Sequence, residues 1–231
     1  MLIYTNKIMK KLYLAITLCI TAALLFIAPN NTRANSANAS ILTREVSHFN
    51  DNFSGKTISS WRWETNNLPI TLVKGVAQFR SSTNLFPYIF TQNNPFPITQ
   101  NFSVEFGFRY NNIADRGTGL VVHDFAPAQG DPPYYGTNWQ FQVWQDTIRP
   151  LQIYLNGVLI YQAPAHDTNP HTAKWVRTDQ DRVYLDNTLI YTGPINTANP
   201  KAIWIGNFSD NLTPGVWTGF DVDFVRVLRL P

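Results

Sequence analysis

An all-β sandwich is the fold class this chain predicts, and three observations predict it. Many short segments alternate apolar and polar residues at period two, Asn, Asp, Gly and Pro bound those segments, and no long apolar repeat at a period of 3.6 occurs. Alternation at two gives each strand one apolar face, and two antiparallel sheets can then bury those faces against each other. The composition agrees, because 14% of the residues are Phe, Trp or Tyr, types that suit a pleated, half-buried surface.

The first element reads as an export signal. Lys7, Lys10 and Lys11 precede an apolar run from Leu12 to Ala28, and Ala37-Asn38-Ala39 offers a small-x-small cleavage site before Ser40. Met9 is an equally good start. Residues 1–39 are therefore read as a signal peptide, with an uncleaved anchor as the alternative because the run reaches the lower range of a spanning helix. Cys19, the one cysteine, lies inside that run, so the exported chain holds no disulfide. The same segment holds Lys7, Lys10, Lys11 and Arg33 and no acid, so the isoelectric point of about 9.0 belongs to it. A near-neutral remainder without basic runs argues against nucleic acid and anionic membranes as partners. The expected location is secreted or at the cell surface, with a membrane contact only if the signal stays uncleaved.

Residues 40–48 read as an exposed leader. Residues 49–231 then fit one domain, long enough to bury a core without disulfides. Within it, Phe102, Val104, Phe106, Phe108 and Tyr110 form one face of a strand, and Ser103, Glu105, Gly107 and Arg109 the other. Trp139 to Gln145 is a later strand. Ile153 to Tyr161 and Val183 to Tyr191 are two echoing hairpins whose Asn156-Gly157 and Asp186-Asn187 turns tolerate the positive φ angles of a type I′ turn. They are expected to lie within one sheet system. Phe220, Val222, Phe224 and Val225-Arg226-Val227 form the closing strand.

Taken in order, these pieces resemble the concanavalin A-like jelly roll of legume lectins, laminin-G modules and laminarinases or lichenases, over about residues 49–231. The matching residues are Asn50-Asp51-Asn52-Phe53-Ser54-Gly55, Trp61 and Trp63, Gly75-Val76-Ala77-Gln78-Phe79, the Phe102 to Tyr110 strand, Tyr184-Leu185-Asp186-Asn187 and Phe220 to Val227. In the laminarinase branch a strand like Val104-Glu105-Phe106-Gly107-Phe108-Arg109-Tyr110 and a crossing like Gly117-Thr118-Gly119-Leu120-Val121-Val122 lead to a strand carrying Glu-x-Asp-x-x-Glu. Here Gln140, Gln142 and Gln145 fall at the spacing of those carboxylates. An amide can hydrogen-bond a sugar hydroxyl, but it has no proton to give as a general acid and no carboxylate to attack with.

Strand alternation places Gln140, Gln142 and Trp144 on one face, with Trp139, Phe141 and Val143 on the core face. Amides pair with vicinal hydroxyls, and an indole offers a flat apolar surface to the C–H face of a pyranose. Glu105 and Arg109 are expected to point out of a neighbouring strand in the same sense. The loop Asp131-Pro132-Pro133-Tyr134-Tyr135 would present Tyr134 and Tyr135 as a stacking platform at low entropic cost. The competing reading of all these positions is plain solvated surface and sheet-edge packing.

For metals, the resemblance implies a structural Ca²⁺ held by Asp223 and the backbone carbonyl of Gly75, with Asp221 and Asp51 nearby. Oxygen ligands suit that ion, and an outward acid pair that is simply solvated is the alternative. His166 and His171 read as loop histidines, since no nearby sequence completes a ligand set. No nucleophile elbow, P-loop or zinc motif occurs. The expectation is a non-catalytic, lectin-like carbohydrate-binding domain with a polysaccharide or cell-surface glycan as partner. Its rivals are a glycoside hydrolase using Glu105 with Asp146 or Asp124, and a structural or adhesive module with no sugar site.

Overall fold

The computed structural model describes residues 46–81, 87–97, 101–111, 118–124, 139–146, 148–195, 198–207 and 218–231. The predicted signal segment and the Tyr134-Tyr135 loop lie outside them. All regular structure among the described residues is β. In chain order the strands are β1 (Val46–Asp51), β2 (Trp63–Thr65), β3 (Ile70–Val73), β4 (Val76–Ser81), β5 (Tyr88–Thr91), β6 (Phe102–Tyr110) and β7 (Thr118–His123). There follow β8 (Trp139–Gln145), β9 (Gln152–Leu155), β10 (Val158–Gln162), β11 (His171–Arg177), β12 (Asp181–Leu185), β13 (Thr188–Gly193), β14 (Ala202–Asn207) and β15 (Thr218–Arg229).

Two antiparallel sheets result. One has eight strands, ordered β13-β12-β11-β6-β15-β4-β3 with β1 also on β15, and the other has seven, ordered β10-β9-β8-β7-β14-β5-β2. Period-two alternation fills the space between them. Val104, Phe106 and Phe108 of β6, Trp175 of β11 and Val225 of β15 meet Leu120, Phe141, Val143, Ile153 and Ile203 from the other sheet, all fully buried. Phe106 and Phe141 stack across the layers with ring centroids 6.2 Å apart. Burying each such side chain contributes about 1.5–3 kcal/mol.

Asp51 clasps the sandwich. Its carboxylate accepts from the backbone of Phe53 at 2.8 Å and from the Trp63 indole at 2.8 Å, so the end of β1 in one sheet is tied to β2 in the other. Phe49 and Phe53 pack on the same indole at 5.3 and 6.0 Å. A second clasp is wholly buried. Arg177 donates from Nε to Asp181 at 2.9 Å and from Nη1 to the Ala198 carbonyl at 2.8 Å, while the Trp175 indole donates to the same carboxylate at 2.9 Å. The guanidinium also lies 4.7 Å over the Trp175 ring.

The two echoing hairpins form type I′ turns as expected, with φ of 51° and 76° at Asn156 and Gly157 and 50° and 63° at Asp186 and Asn187. They do not share a sheet. β9–β10 ends the seven-stranded sheet and β12–β13 ends the eight-stranded one, because similar local turn chemistry specifies a hairpin and leaves its partner strand open. Gly206 has a different role. Its φ of 128° and the Pro87 carbonyl, which a Cβ would strike, require glycine where β14 passes β5.

Candidate functional site

The outer face of the seven-stranded sheet is built from the residues that alternate away from the core. In register across the sheet stand Tyr154 of β9, Gln142 of β8, Val121 of β7, Trp204 of β14 and Phe90 of β5. Tyr88, Phe90, Val121, Ala202 and Trp204 form a second apolar cluster, and Trp139 and Trp144 pack against it. Trp204 stacks 4.9 Å from Phe90 and 5.1 Å from Tyr88. The sheet is thus apolar on both faces.

Beside this cluster opens a cavity of about 340 Å³ lined by Trp139, Gln142, Trp144, Arg149, Tyr154 and Gly157. Trp139 corrects the sequence reading, which put it on the core face. A bulge in the β7–β8 ladder pairs His123 with Trp139 and Val122 with Phe141, so the extra residue carries the Trp139 ring to the Trp144 side. Tyr154 is fixed by its hydroxyl, which donates to Gln152 at 2.7 Å, and Gln152 donates in turn to Gln162 at 2.7 Å. The β9–β10 turn is docked by the Asn156 amide on the Gln140 carbonyl at 2.7 Å, and this places Gly157 on the rim.

The three amides divide. Gln142 lines the cavity although it is only 5% exposed. Gln140 is buried, and both atoms of its amide lack a hydrogen-bond partner among the described residues, as do the indole nitrogens of Trp139 and Trp204. Leaving such a group unsatisfied costs about 1–3 kcal/mol, so these buried atoms lower the stability of the sheet. Gln145 shares the parity of Phe141 and Val143 and donates to the Asp167 carbonyl at 3.3 Å, away from the cavity.

Glu105 and Arg109 are not part of this site. β6 belongs to the eight-stranded sheet, where Glu105 pairs with Arg226 at 3.4 Å and Arg109 with Asp221 at 2.9 Å. The expectation of a neighbouring strand fails because the chain changes sheets between β6 and β7. Asp146 is consumed by a turn, accepting from the backbones of Ile148 at 2.9 Å and Arg149 at 2.7 Å. Glu105, Asp124 and Asp146 do not line the cavity. Tyr134 and Tyr135 lie outside the described residues. Among the residues the sequence reading missed, Tyr154 was findable from the Ile153-Tyr154-Leu155 alternation, whereas Arg149 carried no signal in sequence.

Burial disfavours charge at one histidine on this face. Burial pushes the His123 imidazole down to about 3, so it stays neutral beside Trp204. On the opposite sheet Asp221 is buried, which raises a carboxyl, but hydrogen bonds from Arg80, Asn111 and Arg109 outweigh that and hold it below its usual value. Asp223 differs. Burial raises it, Arg109 opposes this and Asp221 reinforces it. A bulge between Val222 and Phe224 breaks the alternation expected of Asp221 and Asp223. Asp223 sits at the point of β15 where pairing passes from β4 to β1, and Gly75, at φ 80°, has the Asn52 carbonyl against it. Among the described residues no group of three or more His, Cys, Asp or Glu gathers around one point.

No family model matches the chain, and no curated protein does. Solved structures do. One, from work on gut-microbial endo-acting O-glycanases that initiate mucin breakdown, aligns at TM-score 0.59 with 14% identity over 80% of this chain and 100% of that one. The fold is that of the concanavalin A-like lectins and glucanases. The Emp47p carbohydrate recognition domain matches at TM-score 0.55 with 16% identity, over 81% of this chain and 98% of that one. The catalytic domain of an endo-1,3-β-glucanase from Thermotoga petrophila matches at 0.53 with 12% identity, over 80% and 98%. Binders and hydrolases share this jelly roll, so the site decides what it does.

Proposed function

We propose that this chain is an exported, non-catalytic carbohydrate-binding domain whose site is the Trp139, Gln142, Trp144 and Tyr154 cavity. One observation carries the reading: three aromatic rings surround a buried amide, and no carboxylate is among the described residues that line the cavity. Rings stack on the apolar face of a pyranose and the amide reads its hydroxyls, whereas glycoside hydrolysis by paired acids needs two carboxyls about 5–9.5 Å apart across the bond. The carbohydrate recognition domain and glucanase among the structural neighbours support a glycan as the ligand class. A shallow site of this size suits a dissociation constant in the roughly micromolar to millimolar range.

The test is a glycan array with the secreted protein, run beside a reducing-sugar assay on β-glucans and galactans. Binding without release of reducing ends is the expected result. Hydrolysis that disappears in Glu105→Gln would overturn it.

Asp223, with the Gly75 carbonyl, is proposed as a structural calcium position, where the ion would hold β15 against the β3–β4 turn. An ion bound only by the folded state raises the melting temperature by mass action. Melting curves in calcium and in chelator should therefore differ, and superimposable curves would remove the ion.

A further inference from the structure

We propose that the cavity selects acidic saccharides, with Arg149 receiving the sugar carboxylate. The inference rests on the glycan reading of the same site and adds the charge class of the ligand. Arg149 is the only charged residue among the described residues lining the cavity, and its side chain is 54% exposed. It is held in place from behind. The Asp146 carboxylate is 7% exposed and touches the Arg149 Nε at 3.4 Å and the Trp144 indole nitrogen at 3.3 Å.

One buried carboxylate therefore orients both the cation and the stacking ring, and a turn closed by two backbone donors fixes that carboxylate. The contact to Asp146 runs through Nε. A guanidinium edge with parallel N–H groups matches a carboxylate in two-point geometry.

Asp146 cancels the charge of Arg149 at long range. The preference is consequently a contact effect, read as retention of the ligand more than as attraction from a distance. Sulfated sugars present similar oxygens, so the experiment must separate them from uronates and sialates.

The experiment measures binding to matched oligosaccharide pairs by calorimetry at low salt. The pairs are gluco-, galacto- and manno-oligosaccharides with their C6-carboxylate counterparts, asialo with sialylated glycans, and neutral with sulfated galactans. The expected result is at least a fivefold tighter Kd for the carboxylated member of a binding pair, reduced to less than twofold in Arg149→Gln and partly kept in Arg149→Lys. Melting temperature of each variant reports whether the turn survives.

Equal or tighter binding of the neutral members overturns the proposal, as does a carboxylate preference that persists in Arg149→Gln. Preference for the sulfated member alone overturns the carboxylate assignment. The glycan reading fails separately: it falls if no member of any pair binds, and it stands if neutral sugars bind and Trp144→Ala weakens them.

Discussion

On the outer face of the eight-stranded sheet, charge meets charge. Asp221 lies 2.6 Å from Arg80 and 2.9 Å from Arg109, Glu105 faces Arg226, and Arg226 lies 5.3 Å over the Phe224 ring that covers Gly107. The outer face of the seven-stranded sheet instead carries Tyr88, Phe90, Trp204, Trp139, Trp144 and Tyr154, with Gln140, Gln142 and Gln152 among them. Both faces are equally available to alternation in the sequence. They differ in chemistry: salt bridges close the first face on itself, whereas the second is aromatic, and its Trp139 and Trp204 indole nitrogens and Gln140 amide are buried without a partner among the described residues. Self-paired charge contributes to a scaffold, and a concave aromatic surface with a few polar groups suits recognition.

Breaking the scaffold side should produce the largest effect. Asp181→Ala strands the buried Arg177 guanidinium, and urea unfolding should show a loss of about 3–5 kcal/mol. Phe141→Ala, on the core face of the site strand, should cost a similar amount, about 3–5 kcal/mol, through its cavity. Neither lines the cavity proposed to bind glycan, so the affinity of the fraction that remains folded should hold. A selective loss of affinity in Asp181→Ala at full stability would erase the distinction between the faces.

Acid should expose the second face's intolerance of charge. His123 is lowered to about 3 in the folded state against an ordinary 6.5, so between those values the unfolded chain binds a proton that the folded chain refuses. Stability then falls as pH drops below about 6.5, by about 2–3 kcal/mol at pH 4.5. Denaturation at pH 7, 5.5 and 4.5 checks the slope, and His123→Leu should flatten it. The Asp221 carboxyl is lowered too, so its contribution is lost only in stronger acid, below its ordinary 3.8.

Trp144→Ala sharpens the comparison at the site itself. Glycan affinity should weaken by about 1–2 kcal/mol through lost stacking surface, measured by calorimetry, with a stability change smaller than that of Phe141→Ala because the ring is half-exposed. Unchanged affinity would mean the wrong face was chosen. The smallest effect belongs to Glu105→Gln. Its pair with Arg226 is partly exposed, so stability should move by about 0–1 kcal/mol, and glycan binding should not move at all.

Period two, the turn pairs Asn156-Gly157 and Asp186-Asn187, and the aromatic runs determined by themselves that the chain is a sandwich, and they placed Phe141 and Val143 inward and Gln142 and Trp144 outward. These features are local, because a strand's faces and a type I′ turn depend on neighbouring residues alone. Tertiary structure decided the rest. The sheet that each strand joined separated Glu105 from Gln142 and parted the two hairpins, and sheet membership depends on contacts far apart in sequence. One bulged residue opposite Val122 and His123 moved Trp139 from the expected core into the cavity. The turn closed by Asp146 brought Arg149 beside Trp144, turning the one acid near the strand from a candidate catalyst into a strut. Alternation fixes which way a side chain points, but only the assembled ladder fixes what it meets.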